Sequence, residues 1–334
     1  MNEILKEITT ILEEGVKDSA YPGGQFALFM NNQIHLGHVG VRDYVDHIPT
    51  DGSEIYDVAS VSKVISTATI THYLIHQGLF TLDSYVHEVL TDYPHKDLQI
   101  KDLLTHSSGL PADVTRAAKL RNREEVIKKL YDVSLLYEKN TRVVYSCTGF
   151  LILGLYLEKI TGKPLNVLAD EIVFRPLGMK DTSYLPDKTR AVRTELREDD
   201  VFNGYLKGQV HDEKAFALGN IAGNAGVFST AYDIALYIKA LLNNEFIFPQ
   251  SVIDTMFKTW IEITVDGVTY RRSLGWNKTA NINTIEHTGY TGCNLWIDRE
   301  KKIGFVLLTN GVHPKREKNN VFPYRDRIRK MFHK

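Results

Sequence analysis

Ile4, Leu5, Ile8, Ile11 and Leu12 recur at helical spacing within an otherwise charged stretch, so the pattern predicts an amphipathic helix at the start of the chain. Gln25 to Met30 and Gln33 to Val39 flank Asn31-Asn32, a pair that tolerates positive φ, and read as a β-hairpin. From Ser62 to about Gln77 the pattern turns helical and stops at Gly78. Further helical stretches fall at about 123 to 137, 147 to 161 with Gly162 as the stop, 166 to 175, 231 to 243 and 249 to 258. Strands return with Ile261 to Val265, the turn Asp266-Gly267, Val268 to Leu274, Thr284 to His287, Asn294 to Asp298 and Ile303 to Thr309. Apolar residues at helical spacing between Lys315 and Lys334 predict a closing helix. Strands at both ends with helices between them indicate an α+β fold. Its mainly antiparallel sheet is built from N- and C-terminal strands and flanked by helices, with an inserted all-helical lobe. Residues 1–334 then form a single unit, with 1–60 and 260–334 as an α/β lobe, 61–259 as a mainly helical lobe, and a cleft between them as the natural site.

Composition narrows the classes of function. The 334 residues carry a formal net charge of -1, so nothing marks the chain for nucleic acid or an anionic membrane. No run of about 18 consecutive apolar residues occurs, which argues against membrane insertion. The N-terminus lacks the apolar core of a secretion signal, and the two cysteines, Cys147 and Cys293, make no disulfide framework; both features fit a cytoplasmic protein. Oligomeric state is not readable from the pattern.

Candidate chemistry begins at Ser60-Val61-Ser62-Lys63, where the helical pattern starts. Residues three apart share a helical face, so the Lys63 ammonium hangs beside the Ser60 hydroxyl. The positive end of the helix macrodipole is expected to lower the pKa of a desolvated Lys63 and to stabilise negative charge on Ser60 Oγ. The ordinary reading is a solvated helix with a serine cap, but no other serine in the chain has a lysine three residues on. Tyr145-Ser146-Cys147 stands at the start of a predicted helix, where a phenol can relay a proton with Lys63 or simply pack in the core. His287-Thr288-Gly289 ends a predicted strand, and such an edge can hold a ligand, whose carbonyl would meet the N–H of Tyr290 and that of Ser60 as a two-donor oxyanion hole. A glycine-rich bend with a solvent-facing histidine is the competing reading.

Other signals carry less. His72 and His76 lie four apart on a helix without a third ligand, so no metal is expected. His211-Asp212 either borders the cleft or sits in a surface loop. Gly219, Gly223 and Gly226 lack the lysine of a phosphate loop. His106-Ser107-Ser108-Gly109 lacks the first glycine of a nucleophile elbow.

Taken in order, Ser-x-x-Lys, Tyr-x-Cys and His-Thr-Gly resemble the serine hydrolases of the class C β-lactamase and penicillin-binding protein superfamily. That family carries Ser-x-x-Lys, Tyr-x-Asn and Lys-Thr-Gly, often with His-Thr-Gly in esterase-like and peptidase-like members. Leu103 to Leu110 and Ala222 to Ala231 are similar to further family segments, so the resemblance runs from about Gly24 to the last helix. It implies a β-lactamase/transpeptidase-like fold and a cofactor-free hydrolase with Ser60 acylated, Lys63 and Tyr145 moving the proton, and Cys147, His287, Thr288 and Gly289 binding substrate. The substrate would be a small ester, an amide or a β-lactam. A non-catalytic sensing module with the same fold is the alternative. Two departures bear on substrate: Cys147 replaces an amide by a weak donor and acceptor, and His287 replaces a lysine. If His287 is the carboxylate anchor, KM for carboxylate substrates should climb between about pH 6 and 8.

Overall fold

A computed structural model describes residues 1–332. The Asn31-Asn32 prediction holds in detail: both residues have positive φ, 53° and 61°, and they join β1 (Gly23–Met30) to β2 (Gln33–Gly40). Two short pairs follow along the chain. β3 (Tyr56–Asp57) pairs with β6 (Phe228–Ser229), and β4 (Arg193–Glu198) with β5 (Asn203–Lys207). Then come β7 (Ile261–Val265), β8 (Val268–Arg272), β9 (Asn277–Lys278), β10 (Thr284–Thr288), β11 (Asn294–Asp298) and β12 (Ile303–Thr309). The main sheet is antiparallel throughout, in the order β2-β1-β12-β11-β10-β9-β8-β7.

Side-chain alternation explains why its central strands are apolar on both faces. Along β1 and β12, Phe26, Leu28, Ile303, Phe305 and Leu307 meet one core, whereas Ala27, Phe29, Val306 and Leu308 meet the other. The first core is closed by α1 (Asn2–Lys17) through Ile8, Ile11 and Leu12 and by the last helix through Ile328 and Phe332. The second is shared with the helices between the two groups of strands: α2 (Thr69–His76), α3 (Ile100–Leu104), α4 (Arg123–Tyr131), α5 (Cys147–Thr161), α6 (Leu165–Ala169), α7 (Glu213–Ala217), α8 (Ala231–Leu242) and α9 (Gln250–Phe257).

Differences from the pattern have local causes. The helix expected over 123 to 137 stops at Tyr131, because the chain then runs back along the 107–109 turn, with the Leu136 N–H donating to the Gly109 carbonyl at 2.8 Å. The closing helix α10 spans Phe322–Phe332, after a 3₁₀ turn at Arg316–Lys318; the final two residues of that prediction lie outside the described residues. The stretch expected to be helical from Ser62 begins as a 3₁₀ turn at Ala59–Val61 and a π turn at Lys63–Ala68 before α2 takes over.

Candidate active site

Ser60 sits one residue after a strained position. Ala59 has φ +46°, a left-handed conformation unusual for a residue with a Cβ and costing about 1 kcal/mol or more. Asp57 holds it there: one carboxylate oxygen accepts the Ala59 N–H at 2.8 Å and the other accepts the His211 N–H at 2.7 Å. Burial pushes the Asp57 carboxyl up to about 6, against those two hydrogen bonds, which favour the anion. The turn is further fixed where the Val58 N–H reaches the Val227 carbonyl and where Thr291 Oγ1 donates to the Asp57 carbonyl at 2.8 Å.

Lys63 is fully buried and donates to Ser60 Oγ at 2.9 Å, to the Asn224 carbonyl at 2.9 Å and to Cys147 Sγ at 3.5 Å. Its ammonium also lies 4.9 Å from the centre of the Tyr145 ring. The expectation of a lowered pKa is corrected here. Burial does pull Lys63 down, but the charges of Cys147 and Tyr145 outweigh it, and the net direction is up. Lys63 therefore rests as an ammonium.

Tyr145 and Cys147 are delivered by the start of α5. Ser146 caps that helix, accepting the Gly149 N–H at 3.0 Å and donating to the Pro111 carbonyl at 2.8 Å, while its own N–H goes to His106 Nδ1 at 2.9 Å. The Asn224 carbonyl reaches Lys63 because two glycines let backbones touch: a Cβ on Gly223 would meet the Phe150 carbonyl oxygen at 2.0 Å, and one on Gly154 would meet the Gly223 nitrogen at 2.8 Å.

The other wall is the end of β10. Gly289 passes so close to the turn before Ser60 that a Cβ there would lie 2.4 Å from the Val58 carbonyl oxygen. Thr288, Gly289 and Tyr290 line the cleft beside Ser60, and among the described residues the Tyr290 N–H has no protein partner. His287 does not join them. It is buried, its Nδ1 is 2.9 Å from the Thr288 carbonyl oxygen, and burial together with the charges of Lys63 and Arg272 holds it well below its usual range. The role of a cationic anchor is thus corrected: His287 is a neutral ring packed 5.8 Å from Tyr145, behind the cleft wall.

The cleft has a volume of about 520 Å³. Several of its residues carried no sequence signal, among them Asp113 and Lys214, whose ammonium is buried between the carboxylates of Asp113 (2.7 Å) and Asp212 (2.9 Å). Arg316 pairs with Glu195 and Glu213. Arg325 of α10 also lines the cleft; it stacks on Phe322 at 4.5 Å and has no carboxylate within ion-pair distance among the described residues. Arg272, buried 5.9 Å from the Tyr145 ring centre, went unnoticed too. His211, noted as a possible cleft residue, lines it. No cluster of three or more metal-ligating side chains occurs, and no helix is long and apolar enough to cross a membrane, among the described residues.

The chain is similar to known proteins along most of its length. The family model described as Beta-lactamase matches residues 8–328. An N-acetylmuramyl-L-alanine amidase of Bacillus subtilis (strain 168) is 30% identical over 301 residues, covering 78% of this chain and 68% of that protein. Two solved structures share the fold. A Beta-Lactamase/D-Alanine Carboxypeptidase from Pseudomonas syringae superimposes with a TM-score of 0.77 at 16% identity, covering 98% of this chain and 99% of that one. The octameric penicillin-binding protein homologue from Pyrococcus abyssi gives 0.75 at 21% identity, covering 98% and 81%.

Proposed function

The chain belongs to the beta-lactamase family of serine hydrolases, and from that premise we propose that Ser60 forms an acyl-enzyme with an ester or an amide, D-amino-acid amides and peptides ahead of β-lactams. The observation that carries this reading is the 2.9 Å contact between Lys63 Nζ and Ser60 Oγ, with Ser60 opening on a cleft that Tyr145 and Tyr290 also line. Ser60 Oγ attacks the carbonyl carbon as its proton passes to the phenolate form of Tyr145 beside the Lys63 ammonium. The oxyanion rests on the N–H groups of Ser60 and Tyr290, where each donor is worth about 100- to 1000-fold in kcat. The pair then protonates the leaving group, and water releases the acyl product.

Cys147 and Arg325 support the choice of substrate. A thiol 3.5 Å from Lys63 cannot offer the two-way hydrogen bonding of an amide to an acylamino side chain, which favours esters and small amides. With His287 neutral and Lys214 and Arg316 engaged by carboxylates, Arg325 is the wall cation available to a substrate carboxylate. The test is to incubate the protein and Ser60→Ala with p-nitrophenyl esters, D-alanyl peptides, a chromogenic cephalosporin and a fluorescent penicillin. Turnover abolished by the substitution supports the proposal. Labelling without turnover would mark a sensing module, and neither label nor turnover with any substrate would sink the acyl-enzyme.

A further inference from the structure

The cleft holds a second set of acid–base groups that the acylation step does not use. His211 is buried, and its Nε2 lies 3.0 Å from Glu195 Oε2. Glu195 is gripped in turn by the Arg316 guanidinium, at 2.6 to 3.0 Å, and by the Arg316 backbone N–H at 3.1 Å. Burial works against the Glu195 carboxylate, but the hydrogen bonds from His211 and Arg316 prevail and keep it ionised. A carboxylate can only accept, so Nε2 carries a proton, and in the neutral ring the other nitrogen, Nδ1, holds a lone pair. Nδ1 meets no protein group among the described residues, and the ring lines the same cleft as Ser60.

Two contacts bring this base to the reacting centre. The Asp57 carboxylate binds the His211 N–H with one oxygen and the Ala59 N–H with the other, clamping the His211 segment to the nucleophile turn. The imidazole also faces the Tyr290 ring, centroids 5.7 Å apart and 30° from parallel, and the Tyr290 N–H is the proposed grip on the acyl oxygen. Deacylation needs a base and an acid at once. As water attacks, one group must accept its proton while another returns a proton to Ser60 Oγ, and the Lys63 ammonium already points at Oγ as the donor.

We propose that His211, oriented by Glu195, is the general base for the deacylating water, an inference that rests on the Ser60 acyl-enzyme. The water gives a proton to Nδ1 as its oxygen bonds to the acyl carbon. The carbon–Oγ bond then breaks, Oγ takes a proton from the Lys63 and Tyr145 pair, and the His211 proton returns to that pair through solvent. Glu195 is a positioning residue that fixes the tautomer.

The experiment follows p-nitrophenyl acetate hydrolysis by the wild type, His211→Asn, Glu195→Gln and Ser60→Ala, with stopped-flow release of nitrophenol and intact-mass detection of the acetylated protein. Expected for His211→Asn is an acylation phase at the wild-type rate, which also certifies the fold, and a turnover reduced about 100-fold or more with one acetyl group accumulating on Ser60. Glu195→Gln should show the same accumulation with a smaller loss. Wild-type turnover in His211→Asn, or a loss of turnover without acetylated enzyme, overturns the role of His211. Undiminished hydrolysis by Ser60→Ala instead overturns the acyl-enzyme beneath it.

Discussion

Buried beside two cations, His287 stays neutral throughout the range where a free histidine titrates. KM for carboxylate substrates should therefore be flat between about pH 6 and 8, the reverse of what a solvent-facing histidine would give. Arg325→Gln should raise that KM about tenfold or more and leave neutral esters unaffected, the loss expected for one charged hydrogen bond. Asp57 supplies a pH dependence of its own. Its carboxyl is raised to about 6, so the anion that accepts from both Ala59 and His211 exists only above that pH. Activity on a neutral ester should fall as pH drops through about 6, and Asp57→Asn should be weak at every pH and lack that limb. Ser60, Lys63, Tyr145 and the Thr288-Gly289-Tyr290 edge were legible because their order and spacing are local strings. Asn224 and Arg325 were not, because each acts through one backbone or charged group brought from far along the chain. Nor was Asp57, which is close to Ser60 in sequence but whose second partner is the distant His211 N–H.

Elements whose pattern is set by burial on one face, or by a stop residue, were read closely from the chain. α5 begins at Cys147 and ends at Thr161 with Gly162 at φ +69°, and β7, β11 and β12 have the expected limits. The β4–β5 hairpin carries no apolar alternation because Arg193–Glu198 is mostly polar, and its buried Glu195 and Arg197 are held in ion pairs. The approach of α5 to the 222–226 loop is equally silent in sequence, since it needs only the absence of two side chains. Gly223→Ala should cost about 1–3 kcal/mol as overpacking, read as a lowered Tm. By moving the Asn224 carbonyl away from Lys63, it should also slow acylation more than it alters KM.

Across the whole molecule, the sheet separates two cores, and the cleft is walled by segments from residues 59 to 325. α10 belongs to both concerns: Ile328 and Phe332 close the core shared with α1, Tyr324 donates to Asp18 at 2.6 Å, and Arg325 faces the cleft. Ile328→Ala should cost about 2–5 kcal/mol in stability, and near its melting transition it should weaken carboxylate substrates before neutral ones. The seam between β1 and β12, where Gly24 lies opposite Thr309, reaches back into the protein's synthesis. The first hairpin leaves the ribosome with the β12-facing edge of β1 unpaired and β1 apolar on both faces. At about 5–20 residues per second, its partner strand follows only after on the order of tens of seconds. Through that interval the exposed edge is a template for any extended chain nearby, so the yield of active protein depends on how well nascent chains ending short of residue 303 are kept apart.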